Sequence, residues 1–328
     1  MLVGITYDLK EDYLKAGYSS EESAEFDSIE TIDAIEESLR LLKFSTVRIG
    51  NVQALVTYLA QGKRCDLVFN IAEGLRGMCR EAQIPALLDA YAIPYVFSDS
   101  FVLAIALHKG ITNMILRQSG VPVANSHIVS SIEDLSRIRM TYPLFVKPVG
   151  GGTGMGIDAN SIVNNAEELR ESVLRIREQF DQESLVETYL SGREFTVGIT
   201  GTGSNARPVA VMEIIVDSAS DQGIYSYHTK QQYKQYARYQ LASGAIADEC
   251  CNVALSAWNV LGCRDGGRID VKADSNGNIC FLEVNPLAGL NPVDSDLPIL
   301  AGLAQISYHE LIGRIMESAM KRIVGAYT

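Results

Sequence analysis

Apolar positions near the start of the chain follow two rhythms in turn. Leu2–Thr6 is a short apolar run that reads as a first buried strand. Asp27–Lys43 then sets Ile29, Ile32, Ile35, Leu39 and Leu42 on one helical stripe, with Asp27 or Ser28 available as N-cap. Val47–Ile49 and Leu67–Ile71 read as further strands, and Val52–Ala60 as the helix between them. Strands alternating with helices at this spacing predict a parallel sheet with right-handed crossovers. Ligands of such sheets sit beyond the carboxyl ends of the strands, which directs attention to Asn70–Gly74.

Beyond Ile93-Pro94-Tyr95 the rhythm changes. Ser100–Gln118 predicts one helix stopped by Gly120, Leu144–Lys147 a strand entering a glycine-rich turn, and Asn165–Gln179 another helix. Strands dominate afterwards, at Leu185–Leu190, Phe195–Thr200, Val209–Val216, Arg268–Ala273 and Ile279–Val284. The polar, Tyr- and Gln-rich stretch Ser218–Ala247 reads as a loop or lid. The expected architecture is α/β at the N-terminus and α+β in the C-terminal half. We divide it into an N-terminal segment 1–95, a central segment 96–185 with the glycine loop, and a C-terminal segment 186–328.

Composition narrows the function without naming it. At 328 residues, 47% apolar and 21% charged, the chain is of ordinary globular make-up. A formal net charge of −12 argues against general binding to nucleic acid or anionic membranes, while leaving room for a phosphate held by local cations and backbone amides. The six cysteines form no C-x-x-C pair and read as buried thiols in a reducing compartment. No basic-then-apolar leader opens the chain, and no apolar run reaches the ~20 residues that cross a bilayer, so the expected location is the cytoplasm.

Two segments carry candidate chemistry. Lys147 ends a strand and is followed by Gly150, Gly151, Gly152, Thr153, Gly154 and Gly156. Such a run lets successive amides approach a polyanion, although neither a Walker A loop nor a dinucleotide fingerprint is present. The second segment is Arg268–Asn285. Asn276-Gly277 between alternating apolar runs predicts a two-residue type I′ hairpin, in which Asp270 opposes Glu283 and Arg268 opposes Asn285. Those four side chains then share one face, with Ile269, Val271, Leu282 and Val284 on the other. Opposed carboxylates repel unless neutralised, and Asp, Glu and Asn oxygens suit a hard divalent cation.

Taken together, Lys147 with its glycine loop, Glu187-Thr188-Tyr189-Leu190-Ser191-Gly192-Arg193-Glu194, and Arg268-Ile269-Asp270 through Glu283-Val284-Asn285 resemble the ATP-grasp ligases, and within them the D-alanine–D-alanine ligase branch. The resemblance spans nearly the whole chain, as far as Ser307–Leu311. It implies an ATP-dependent carboxylate–amine ligase that works through an acyl phosphate. It assigns Lys109, Lys147 and the loop residues Gly152, Thr153 and Gly154 to the ATP phosphates, Glu187, Thr188, Tyr189 and Leu190 to the adenine, and Glu194 to the ribose. It further implies that Asp270, Glu283 and Asn285 bind two Mg²⁺ ions (Mn²⁺ being an alternative). Arg268 and the Gly289 amide would stabilise the intermediates, and Lys230 would serve as a phosphate-binding lid lysine. The implied partners are ATP and small amino-acid or carboxylate substrates, with a homodimer as the family's common assembly.

The departures from that pattern gather on the substrate side. Glu73-Gly74 stands where the ligases have His-Gly, Gln231 replaces a lid tyrosine, and Thr153 replaces a loop serine. The stretch Asn285-Pro286-Leu287-Ala288-Gly289-Leu290-Asn291 differs from the usual one and precedes an apparent insertion before Asp294-Ser295-Asp296. Candidate substrate contacts are Glu25 or Asp27 for an ammonium group, with Glu73 and Ser295 beside them. These replacements leave open D-alanine, another amino acid, or a nucleotide-binding protein without ligation as the outcome.

Overall fold

The computed structural model describes residues 1–20, 22–152, 154–216 and 233–325. Strand β1 (Leu2–Thr6) lies between β2 (Ser45–Gly50) and β3 (Leu67–Asn70), and both pairings are parallel, as the alternation predicts. Helix α1 (Lys10–Lys15) is short. Helix α2 (Ile29–Leu41) turns Ile32, Ile35 and Leu39 onto Val3 and Ile5 of β1. On the opposite face, α3 (Val52–Ala60) and α4 (Gln83–Ala90) cover the sheet with Leu55, Leu59 and Leu88.

The predicted helix Ser100–Gln118 is two helices, α5 (Ser100–Ala106) and α6 (Lys109–Gln118). A local cap and a tertiary hydrogen bond mark the break. His108 leaves helical geometry, with φ −103° and ψ 85°, and its Nδ1 accepts the Ile111 amide at 3.2 Å as an N-cap. The Lys109 amide meanwhile donates to the Val149 carbonyl at 3.1 Å, which fastens the start of α6 to the glycine loop.

The central sheet comprises β4 (Ser126–Val129), β5 (Leu144–Pro148), β6 (Ile162–Val163) and β7 (Ser184–Thr188), in the order β4-β7-β5-β6. Helix α7 (Ala166–Phe180) packs on it, capped by Asn165, whose side chain accepts the amides of Glu167 and Glu168. The third sheet is antiparallel and runs β10-β9-β8-β11-β12. Its strands are β8 (Glu194–Thr200), β9 (Arg207–Val216), β10 (Ala237–Leu241), β11 (Gly266–Ala273) and β12 (Ile279–Asn285).

The stretch expected as a loop at Ser218–Ala247 is only partly described, because 217–232 lie outside the described residues. Of the rest, α8 (Tyr233–Tyr236) leads into β10, which pairs with β9, and Ala245 begins α9 (Ala245–Leu261). Trp258 of α9 is fully buried in the core beneath β8 and β11. Helices α10 (Asp296–Leu303) and α11 (Tyr308–Gly325) complete the described chain. Leu311, Ile312, Ile315 and Met316 of α11 join the core built by α2 and β1, so the end of the fold rests on its beginning. Among the described residues no helix is long and apolar enough to cross a membrane.

Candidate active site

The hairpin Arg268–Asn285 reaches the predicted pairing by a different route. Its tip is not a type I′ turn on Asn276-Gly277. Asp274 Oδ1 accepts the amides of Asn276 at 2.8 Å and Asn278 at 2.9 Å, and the Gly277 amide returns to the Asp274 carbonyl at 3.1 Å. That arrangement favours a type I turn beginning at Asp274, with Gly277 in the left-handed region at φ 90°. The strands therefore close on a three-residue loop, and Ala273 pairs with Ile279. Left uncorrected, this register would place Asp270 opposite Leu282. A bulge between Asp270 and Val271 restores it, so that Asp270 opposes Glu283 and Arg268 opposes Asn285.

The bulge has a second consequence. Leu282, expected in the core, instead lines a cleft beside Glu283, while Ile269, Val271 and Val284 remain buried. The cleft lies between the central sheet and the third sheet. Its apolar lining comes from Ala124, Phe145, Ile157, Leu190 and Leu282, with the Tyr189 ring stacked on Phe145 at a centroid distance of 6.3 Å. Its polar lining includes Lys109, Lys147, the glycine loop, Asp270 and Glu283.

Each ionic group in this cleft is held by a partner. Lys147 of β5 forms an ion pair with Glu187 of β7 at 2.6 Å, with side chains 4% and 6% exposed, and Asn113 of α6 donates to Glu187 at 2.8 Å. Lys109 bonds the Gly151 carbonyl and lies 3.6 Å from Glu283. Lys272 pairs with Glu194 at 2.8 Å; burial opposes its charge, yet attraction to Glu194 keeps its pKa above the ordinary value. Asp270 is bonded by Thr196 and Arg268, and Asn285 donates to it at 3.3 Å. Among the described residues no group of three or more His, Cys, Asp or Glu side chains is arranged for a metal. The candidate donor set is two carboxylates and one amide on neighbouring strands, whose oxygens fit a hard divalent cation.

A second, wider cavity of about 600 Å³ meets the first at Lys109, Gly151, Gly152 and Glu283. It gathers Glu25, Asp27 and Glu73 from the N-terminal part with Arg268, Gly289, Ser295 and Asp296 from the C-terminal part. Glu25 reaches Arg80 at 2.6 Å and presses against Gly152, where a side chain would collide with it. Glu81 stands behind the same arginine at 3.9 Å. Burial, and then repulsion from Glu81 and Glu25, drives Glu73 well above the carboxylate range. Burial also raises Glu81 to about 7, with Arg80 opposing it, and raises Asp27 to about 7. Arg268 stays cationic because Asp270 and Asp296 outweigh the penalty of burial.

Of the described candidate residues, those for phosphate, adenine, ribose and metal line the first cavity, apart from Asn285, and the substrate candidates line the second. Arg268, Gly289 and Asn285 lie on the second. Thr153 and Lys230, with Gln231, lie outside the described residues. The sequence reading missed Arg80, Glu81, Lys272 and Asp296. Lys272 was legible, since it stands two positions after Asp270 on the same strand and shares its face. Arg80 gave no signal, because a short 3₁₀ turn carries it and only the tertiary fold brings it to Glu25.

Residues 114–317 match the family described as the D-ala D-ala ligase C-terminus. A D-alanine–D-alanine ligase from Gluconobacter oxydans is 30% identical over 321 residues, covering 96% of this chain and 100% of the relative. One from Pelotomaculum thermopropionicum is 31% identical over 327 residues, covering 95% and 97%. Among solved structures, the D-alanine–D-alanine ligase of Bacillus anthracis complexed with ATP superposes with a TM-score of 0.74 at 21% identity, covering 98% of both chains. The VanG D-Ala:D-Ser ligase of Enterococcus faecalis gives 0.74 at 19% identity, covering 97% of this chain and 99% of that one. At those identities the structural likeness shows a shared fold.

Proposed function

The chain belongs to the D-alanine–D-alanine ligase family of ATP-grasp enzymes, which form C–N bonds, and from that premise we propose how its cleft performs ATP-dependent ligation of two amino acids. ATP occupies the first cavity, its base against Phe145, Tyr189, Leu190 and Leu282, its ribose near Glu194. Its phosphates lie toward Lys109, Lys147 and the glycine loop at Gly151, Gly152 and Gly154. Asp270, Glu283 and Asn285 would hold Mg²⁺, which when bound supplies charge neutralisation and a template for the phosphates. The two amino acids share the second cavity.

The reaction divides into two displacements. A substrate carboxylate oxygen forms a bond to the γ-phosphorus as the β,γ-bridging bond breaks, giving an acyl phosphate and ADP. The amine of the second substrate attacks the acyl carbon, and phosphate departs as the amide forms and the amine proton is released. Arg268 faces the anionic oxygen of the tetrahedral intermediate, and the Gly289 amide donates to it. Lys109 stands at the junction of the two cavities, where the transferring phosphoryl group passes. Thr153 and Lys230 keep the phosphate roles that the sequence resemblance gives them. We place this reaction in the cytoplasm, where ATP is supplied.

The continuity of the two cavities through Lys109, Gly151, Gly152 and Glu283 is the observation that supports this reading most strongly. It lets the phosphoryl end of one ligand reach the carboxylate of the other. The names of the relatives favour D-alanine in both positions. One feature favours a second reading of the substrate. Glu25, Asp27, Glu73 and Glu81 crowd together beside the second cavity with Arg80 as their cation, and an amino acid or amine carrying an additional positive charge would let the raised carboxyls ionise.

Phosphate release from ATP, measured with D-alanine and with pairs of neutral and basic amino acids, separates these outcomes. Release with D-alanine alone as both substrates supports the first reading. Release that requires a basic amino acid or a diamine supports the second. No release with any pair, while ATP still binds, would remove ligation from the account.

A further inference from the structure

Arg268 is gripped from two sides. Its Nη1 edge bonds Asp270 and lies 3.4 Å from Thr196 Oγ1, while Nη2 lies 3.7 Å from Asp296 Oδ2. The two acids reach it differently. Asp270 is two residues further along β11, whereas Asp296 opens α10 after the loop that follows β12. The other carboxylate oxygen of Asp296 accepts the Tyr239 hydroxyl at 3.3 Å. Tyr239 belongs to β10, the far edge of the third sheet, separated from β11 by β9 and β8. One carboxylate therefore ties the guanidinium to the outermost strand. The first turn of α10 also suits an acid, because its free amides and dipole attract negative charge.

We propose that Asp296 is a positioning residue that fixes the plane of the Arg268 guanidinium and is itself held in direction by Tyr239. The proposal rests on the ligase reading, in which Arg268 faces an oxyanion. A guanidinium held along one edge can rotate about that edge, whereas partners on two edges fix both its plane and its reach. Arg268 and Asp296 are 13% and 15% exposed, so little water competes for the contact. An oxyanion stabiliser works by being in place before charge develops, so a small rotation costs rate more than it costs substrate binding. The Tyr239 hydroxyl donates to Asp296, so its effect should pass through the carboxylate.

The test compares Asp296→Asn, Asp296→Glu, Tyr239→Phe and the Asp296→Asn/Tyr239→Phe double variant by steady-state kinetics. Asp296→Asn should lower kcat by about tenfold to a hundredfold and leave the KM for ATP within about twofold. Asp296→Glu should recover part of that loss. Tyr239→Phe should cost about threefold, and the double variant should match Asp296→Asn alone, because the tyrosine acts through the acid. A second readout needs no turnover. The peptide carrying Arg268, followed by mass after phenylglyoxal treatment of the folded protein, should label several-fold faster in Asp296→Asn and in Tyr239→Phe. Unchanged kcat in Asp296→Asn, losses that multiply in the double variant, or unchanged labelling would each overturn the proposal. A wild type that binds ATP but never releases phosphate would overturn the ligase reading instead, and the labelling rates would still judge the role of Asp296.

Discussion

Asp27 shows how a single side chain can be informative for a reason its sequence position did not suggest. It was one of two candidates for holding an ammonium, and the structure makes Glu25 the partner of Arg80. Asp27 sits instead where burial raises its pKa to about 7, with a bond from Thr31 only partly offsetting that. The sign of the consequence follows from linkage. Between the ordinary carboxylate pKa and about 7 the folded state keeps a proton that the unfolded chain has released, so stability contributed by this site is present at low pH and lost as pH rises through about 7. Melting temperatures of the protein and of Asp27→Asn, compared without ligand from pH 5 to pH 8, test this. The protein should lose stability relative to the variant across that interval, by about 2 kcal/mol at the upper end. A difference that does not change with pH would show that Asp27 does not titrate there.

At the scale of the element, the hairpin reached its expected pairing through two departures that cancel. Its alternation and its Asn-Gly pair were legible, and they placed Asp270 opposite Glu283. The turn was not, because Asp274 captures two amides and selects a different loop. Nor was the bulge, which depends on packing along β11 and β12 and leaves no mark in the alternation. Gly277 has φ 90° and nothing within 4 Å of a would-be side chain, so Gly277→Ala meets backbone strain and no steric clash. That substitution should lower stability by about 1 kcal/mol and leave the KM for ATP unchanged, as chemical denaturation and steady-state kinetics would show. A rise in KM would mean that the turn, and not the bulge, sets the register at the site. The division of Ser100–Gln118 into two helices was hidden for a related reason. Its apolar spacing is helical throughout, and the break goes with the His108 cap and with the bond from Lys109 to the Val149 carbonyl, which needs the folded glycine loop.

Across the whole molecule, the C-terminal helix decides how the separate parts meet. The α11 residues Leu311, Ile312 and Ile315 fill the core of the N-terminal sheet, and Arg322 reaches Asp265 at 2.7 Å and the Tyr95 carbonyl at 2.7 Å. Asp265 is fully buried, and it also accepts from the Phe97 amide at 2.9 Å and from Ser318 at 2.9 Å. This carboxylate joins the segment after the first sheet, the turn before β11 and the last helix. Arg322→Ala would leave it without its cationic partner, which should destabilise the fold by about 3 kcal/mol. Equilibrium urea unfolding gives the value, and a loss below about 1 kcal/mol would show that the neutral donors satisfy Asp265 unaided.

The sequence by itself determined most of the elements, the parallel N-terminal sheet, the opposition of Asp270 and Glu283, and the family to which those motifs point. It could do so because hydrophobic period, turn residues and motif spacing are local and survive without a fold. The tertiary structure alone decided the bulge that carries Leu282 into the cleft, the meeting of the two cavities at Lys109, the approach of Arg80 to Glu25 and the grip of Asp296 on Arg268. Each of these joins residues from different elements, or depends on how neighbouring strands settle against one another. Their energies come from burial and from charges held close in a poorly solvated cleft, and neither exists until the chain has closed on itself.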